Sequence, residues 1–227
     1  MEDNLNTLIV AFSPCLGKQD GWKWKSAAEG IFSTKEAYAE CAKAVGERAV
    51  VLKEESKQLL TAQAPHKARV TAWRAICNRL PTCDNLLKRK VQIPDEEKWC
   101  NACVTREETV VHSLLHCPKV DRVWDHIHQW IGIETTKPQR LVEHFKSFTG
   151  GGRGTKNTAF LKALWIATVW LLWRYRNDSR FENKNWEVSK IAKDIKGNLW
   201  SWNQLFHIVE SNVSFSGWCS NEYSPLV

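Results

Sequence analysis

No two aspartates stand side by side in this 227-residue sequence, and no glycine-rich loop ends in Gly-Lys-Ser or Gly-Lys-Thr. The first absence argues against a polymerase, which binds its metal ions through paired aspartates. The second argues against a nucleotide loop of the P-loop type. An RNase H needs carboxylates clustered on strands for its two-metal chemistry, whereas four of the aspartates here fall on predicted helices, namely Asp121, Asp125, Asp178 and Asp194. We therefore expect that the protein is not an enzyme.

The sequence also has no apolar run of bilayer length. Its strongest run, residues 159–173, spans 15 residues and contains Lys162, whereas a membrane-spanning helix needs about 20 apolar residues. We predict no membrane segment and a buried helix here. The alternative is a helix over 157–181 that binds a protein partner or a second copy of the chain, because such a run is apolar nearly all round.

The sequence has no recognisable secretory signal, because its acidic start shows no cationic segment before an apolar stretch. Eight cysteines in that context predict reduced thiols and a reducing, intracellular compartment, either nuclear or cytoplasmic. Five of them have no ligand spacing, and we interpret them as ordinary small hydrophobes. These five are Cys15, Cys41, Cys77, Cys83 and Cys219.

Four residues form a metal signature: Cys100, Cys103, His112 and Cys117. Three thiolates and an imidazole are a typical tetrahedral set for Zn²⁺, and four protein ligands leave no position for a catalytic water. The spacing therefore predicts one structural zinc ion. Two alternatives remain, namely free or disulfide-bonded cysteines, and His116 as the ligand in place of His112.

The sequence around Cys117 supports this geometry. Five positions along one straight α-helix would turn Cys117 about 140° away from His112. Pro118 disfavours the helical conformation at the residue before it and suits the first turn of a new helix. We predict that the His112 helix ends by residue 115 or 116 and that the next helix buries one apolar face while His126 and His128 lie on the surface. The apolar face consists of Val120, Val123, Trp124, Ile127, Trp130 and Ile131.

Positive charge is concentrated just before the metal signature. The net charge is +7, and residues 64–90 hold seven cations against a single acid, Asp84. Such a patch suits phosphate groups of RNA or DNA, and Trp99 could stack on unpaired bases, whereas Trp73 fits the apolar face of its helix. The alternative is an ordinary solvated surface. The seven cations are Lys67, Arg69, Arg74, Arg79, Lys88, Arg89 and Lys90.

Three stretches together point to a known family: the string from Gly30 to Tyr38, the string from Asn78 to Leu86 with Trp73-Arg74 before it, and the metal signature with Trp124. In order and spacing they resemble the zinc-binding domain that follows the reverse transcriptase of non-LTR (LINE-type) retrotransposons, notably those of plants, over residues 20–125. The resemblance implies the same four zinc ligands. It also implies a fragment without polymerase or RNase H domain. A later helix resembles one that often follows in those polyproteins, through Trp170, Trp173, Arg174, Arg176, Asn177 and Phe181.

We therefore predict a mainly α fold, in which a small helical domain with a zinc knuckle and a short N-terminal hairpin or arm precedes a C-terminal helical pair. The expected divisions are an arm (1–20), a reverse-transcriptase-type zinc-binding domain (21–148), a glycine-rich linker (149–156), a tryptophan-rich helical region (157–211) and a tail (212–227). The favoured function is a non-catalytic module that contacts RNA or DNA. The alternatives are a zinc-stabilised protein-interaction module and an inactive retroelement remnant.

Overall fold

The structure, a computed structural model, describes residues 31–37, 47–133, 137–150, 155–208 and 214–219, and also Gly17, Trp24 and Glu40. At 47–52 and 155–157 it describes the backbone alone. The chain divides into two compact units, Met1–Ala49 and Val50–Val227. The prediction of a mainly α fold is confirmed, since the described residues are helical apart from loops and one isolated antiparallel bridge between Trp99 and Glu107.

In the first unit, Ser33 caps a short helical turn at residues 34–37. Its Oγ accepts the backbone N–H of Glu36 at 3.1 Å and lies 2.9 Å from the Glu36 carboxylate, as the Ser-x-x-Glu spacing of a capping box predicts. Trp24 packs edge-on against Phe32, with ring centroids 5.0 Å apart. Most of the predicted hairpin or arm lies outside the described residues.

From residue 47 onward the described chain is a succession of helices. A 3-10 turn at Asp95–Glu97 precedes the metal signature, and a π-helical turn at His112–His116 lies within it. The α-helices are α1 (Glu47–Leu60), α2 (His66–Ile76), α3 (Cys83–Lys88), α4 (Pro118–Ile131), α5 (Leu141–Thr149), α6 (Thr155–Glu182), α7 (Val188–Phe206) and α8 (Phe215–Cys219).

Helix α6 lies at the centre of the second unit. It packs against α2, α5, α7 and the π-helical turn, and nearly every side chain from Phe160 to Trp173 is buried. The predicted buried helix is therefore present, covered by helices of its own chain. None of the described helices combines the length and apolarity that a bilayer crossing requires.

Helix α2 meets α6 through small side chains, and here the predicted helix face is wrong. Trp73 was expected on the apolar face of this helix and Cys77 as a small hydrophobe, but both are only half-buried, as is Val70. The buried face consists of Ala68, Ala72, Ala75 and Ile76. Alanines let α2 approach the bulky side chains of α6 closely, so the face with the smaller side chains is the one that packs.

Helix α4 follows its predicted pattern. Its six apolar positions are the six buried residues of the helix, and the helix ends at Gly132, whose φ of +64° favours glycine. Trp130 of α4 contacts Trp218 of α8 and Phe160 of α6. Residues 151–154 of the predicted linker lie outside the described residues, and the predicted domain boundaries stay a prediction.

Candidate metal centre

Cys100 and Cys103 lie on a tight backbone hairpin. The N–H of Cys100 donates to the Arg106 carbonyl (2.9 Å), and the N–H of Val104 donates to the Cys100 carbonyl (2.8 Å). Val104 adopts a left-handed conformation, with φ of +56°, which turns the chain directly after Cys103. The hairpin thus presents both thiols on the inside of one turn.

His112 and Cys117 lie at the two ends of the π-helical turn. The Thr109 hydroxyl accepts the backbone N–H of His112 at 3.1 Å, which caps the helix at its start. The N–H of Cys117 then donates to the carbonyl of His112 itself (2.8 Å), the five-residue spacing of a π-turn. This wider turn brings position 117 nearly beneath position 112. Cys117 is extended (φ −67°, ψ 133°), as expected before Pro118.

The structure brings all four predicted ligands into one cluster. Their ligand atoms lie within 4.8 Å of one another; the Sγ atoms of Cys100 and Cys117 are 3.9 Å apart, and the Sγ of Cys103 is 3.3 Å from the Nε2 of His112. With zinc–sulfur distances of about 2.3 Å, two thiolates at tetrahedral corners lie about 3.8 Å apart. Cys100, His112 and Cys117 are buried and Cys103 is half-buried. Donor type, spacing and burial all fit one Zn²⁺.

Hydrogen bonds link the sulfurs and the imidazole of the cluster and shift their pKa values. A hydrogen bond to Cys117 and burial raise the pKa of Cys100 to about 12, while the same hydrogen bond lowers the pKa of Cys117. Hydrogen bonding to Cys100 raises the pKa of His112. Because Zn²⁺ binds thiolates and a neutral imidazole, metal binding here releases protons and weakens as the pH falls.

A family model described as zinc-binding in reverse transcriptase matches residues 32–124. Residues 32–124 are therefore similar to that family. We call them the matched region; it includes all four residues of the metal cluster. The expected likeness to a reverse-transcriptase zinc-binding domain is confirmed over this stretch. No curated protein and no solved structure matches the chain.

Beside the metal cluster lies a buried ion pair that sequence reasoning missed. Glu108 is fully buried, Arg176 of α6 is 5% exposed, and the guanidinium donates through Nε and Nη2 to both oxygens of the carboxylate. The backbone N–H and the thiol of Cys83 also donate to Glu108 Oε2, each at 3.1 Å. The interpretation of Cys83 as an ordinary hydrophobe is therefore incomplete, because its thiol belongs to a polar network.

The end of α6 makes further contacts with the hairpin. Arg180 donates to the backbone carbonyl of Glu97 (2.8 Å) and to the side chain of Asn101 (3.3 Å). Arg176 stacks over the ring of Trp173 at 4.8 Å and donates to Asn177 at 2.9 Å. Trp173 and Asn177, which contributed to the resemblance beyond residue 125, thus contact Arg176, and Arg176 in turn binds Glu108 of the matched region.

The other histidines lie outside the cluster. His116 is half-buried with Nε2 3.1 Å from the carbonyl of Pro138, and His126 is exposed. His128 was predicted on the surface but is half-buried, with its ring stacked on Trp124 at 6.0 Å. His144 of α5, which the sequence pattern did not single out, is fully buried and accepts a hydrogen bond from Trp165 Nε1 at 3.1 Å.

The seven predicted nucleic-acid cations have different surroundings. Arg69 is half-buried and donates to the Leu60 carbonyl at the end of α1, while Lys88 pairs with Asp84 at 3.0 Å. The other five are exposed, and among the described residues no acidic side chain forms an ion pair with them. These five are Lys67, Arg74, Arg79, Arg89 and Lys90.

The four helical aspartates pair with other side chains. Asp121 and Asp125 both contact Lys137, while Asp178 contacts Lys184 and Asp194 accepts the hydroxyl of Tyr175. Within the described parts of the chain, the four-residue cluster at the hairpin is the one grouping with metal-ligand geometry.

Proposed function

We propose that this chain is a retroelement-derived module that binds RNA or DNA, stabilised by one structural zinc ion and without catalytic activity. The matched region and the four-ligand cluster support the retroelement origin and the zinc. We further propose the LINE-type, plant-type origin and an intracellular, reducing location. These proposals rest on the sequence motifs and on the free thiols of the described cysteines.

The outer face of α2 supports the proposal of nucleic-acid contact. Lys67 and Arg74 are seven residues apart, so they lie on the same side of the helix about 10 Å apart along its axis. Arg79 lies three residues beyond the end of α2, and Arg74 Nη2 lies 3.4 Å from its carbonyl. Three exposed cations along and just beyond this helix, without an acidic partner among the described residues, favour a polyanionic backbone. We call these three residues the α2 cation row.

The hairpin that carries Cys100 and Cys103 is a poorer surface for phosphate. Residues 95–107 hold four exposed acidic side chains against Lys98 and Arg106. A site of three thiolates and one Zn²⁺ adds a further net negative charge. Trp99 is 43% exposed, but it stands among these acids. Zinc therefore acts in this proposal by holding the fold, and α2 provides the contact.

Fluorescence anisotropy of the zinc-loaded full chain tests the proposal, with single-stranded RNA, single-stranded DNA and duplex DNA as probes across a salt series. The test variant is K67Q/R74Q/R79Q. The matched control, K119Q/K190Q/K193Q, removes three exposed cations from α4 and α7. If the α2 cation row contacts three phosphates, the slope of log K against log salt falls by about 2 for a single strand in the test variant alone.

Equal losses in both triple variants would show that binding depends only on net charge and would contradict the role of α2. No binding of any probe by folded, zinc-loaded wild type would contradict nucleic-acid binding altogether.

Partner binding through residues 157–181 stays a prediction. Most of that helix is buried within the chain, while Arg174 and Phe181 remain exposed.

A further inference from the structure

Glu108 lies at the junction between the two pairs of zinc ligands. Cys100 and Cys103 precede it on the hairpin, whereas His112 and Cys117 follow it. Its backbone N–H donates to the Lys98 carbonyl at 2.8 Å, and its carbonyl accepts the N–H of Asp84 at 3.3 Å. The next residue, Thr109, caps the helix that carries His112. A displacement of Glu108 would therefore move one ligand pair relative to the other.

The side chain of Glu108 has no solvent to hold it in place, so its position depends on the groups that donate to it. A buried carboxylate is stable only when paired and hydrogen-bonded. Its charged partner is Arg176, which donates to both carboxylate oxygens and is itself fixed between Trp173 and Asn177 of α6. Arg180 lies farther away, with Nη1 4.0 Å from Oε2.

We propose that Arg176 is a positioning residue of the zinc site, so that the metal-binding unit of this chain includes α6 up to Glu182 and extends beyond the matched region. This inference rests on the proposed occupancy of the four ligands by Zn²⁺. Without Arg176, the buried carboxylate has to take up a proton or water, and either change moves the backbone at residue 108. The two ligand pairs then no longer meet at one tetrahedral centre.

The test compares R176M with R174M in the full chain. Arg174 is a matched control because it lies on the same helix, is exposed, and stacks on Trp170 at 5.0 Å. Competition with a chromophoric chelator gives the zinc dissociation constant, and absorption of the Co²⁺-substituted protein reports tetrahedral sulfur coordination. We expect R176M to bind zinc about 10–100-fold more weakly with altered Co²⁺ bands, and R174M to match wild type in both.

A second variant separates positioning from general stability if R176M folds poorly. E108L/R176M removes both buried charges, and replacing a buried ion pair by apolar groups often preserves stability. A positioning role predicts that this variant regains thermal stability while its zinc affinity and Co²⁺ spectrum stay below those of wild type. Recovery of affinity together with stability would overturn the inference.

The conservative variant R176K gives an independent readout. Lysine keeps the charge but cannot donate bidentately, so we expect zinc affinity between that of R176M and that of wild type. A folded R176M with wild-type affinity and spectrum would overturn the role of Arg176 and leave the zinc assignment intact. A wild-type chain that binds no Co²⁺ would instead contradict the zinc assignment itself.

Discussion

The zinc hairpin and the α6–α7 pair are stabilised by opposite kinds of interaction. Between residues 95 and 108 the chain is mostly exposed and charged, and Cys100 and Ala102 are its only buried apolar side chains. In α6 nearly every side chain from Phe160 to Trp173 is buried. With the proposed zinc bound, the hairpin depends on its metal, whereas the helical pair depends on apolar packing. Glu108 and Arg176 join the two regions.

Loss of a zinc ligand is the largest effect that we predict. Structural zinc sites bind with about 10–16 kcal/mol in small domains, and this energy is folding energy. H112A should lower bound zinc from one ion per chain to none and expose the amides of residues 98–117 to rapid hydrogen exchange. The amides of α6 and α7 should stay protected, because apolar packing holds them.

H116A is the matched control for that experiment. His116 contacts the Pro138 carbonyl and lies outside the metal cluster, so H116A should retain zinc by elemental analysis. Zinc loss in H116A with retention in H112A would reassign the imidazole ligand. If the amides of α6 exchange rapidly in H112A, the hairpin and the α6–α7 pair unfold together. That result would contradict the separate stabilisation of the two regions.

Removal of a core ring should give the reverse pattern. Trp165 of α6 is fully buried, 5.0 Å from the ring of Phe145 between centroids. W165A should lower the free energy of unfolding by about 3–5 kcal/mol, measured by urea denaturation in excess zinc, while zinc affinity stays within about twofold. L205A, at a side chain 71% exposed, should change stability by less than about 0.5 kcal/mol. A large loss of zinc affinity in W165A would break the separation between the regions.

Features set by neighbouring residues could be predicted from the sequence. The ligand spacing, the extended Cys117 before Pro118 and the apolar face of α4 depend on contacts within a few residues. The Glu108–Arg176 pair joins positions 68 residues apart. The resemblance singled out Arg176, but no local pattern marks Glu108 or indicates that the two residues pair. The buried face of α2 was missed because its alanines are inconspicuous until the bulky surface of α6 is known. The π-turn, in which the N–H of Cys117 bonds to the carbonyl of His112, was not predicted.

Lowering the pH should destabilise the helical core through His144, independently of the metal site. Burial is the main cause that lowers the pKa of His144 to about 3, with smaller electrostatic contributions from His128, Lys137 and His116. An unfolded histidine titrates near 6.5, so this residue's contribution is complete above that pH. It is lost as the pH falls from 6.5 toward 3, by up to about 1.4 kcal/mol per pH unit.

H144N tests this effect, because asparagine does not titrate yet can still accept a hydrogen bond from Trp165. Urea denaturation between pH 7.5 and 5 should show a shallower loss of stability in H144N than in wild type. Proton-driven zinc release contributes equally to both proteins, so the difference belongs to His144. Identical slopes would contradict a neutral, buried imidazole.

The smallest predicted effect concerns the surface. The Lys88–Asp84 pair is exposed, with the lysine side chain 65% accessible, and such pairs contribute about 0–1 kcal/mol. K88Q should therefore leave the melting temperature and the bound zinc unchanged within error. If K88Q lowers the free energy of unfolding by more than about 1 kcal/mol, the end of α3 belongs to the polar network around Glu108.

X-ray absorption of the zinc-loaded full chain tests the central claim most directly. If Cys100, Cys103, His112 and Cys117 hold one structural ion, the first shell contains three sulfur atoms at about 2.3 Å and one nitrogen at about 2.0–2.1 Å. This shell should be unchanged in H116A. A shell with an oxygen ligand, or with fewer than three sulfurs, would contradict a closed structural site and reopen the question of chemistry at this metal.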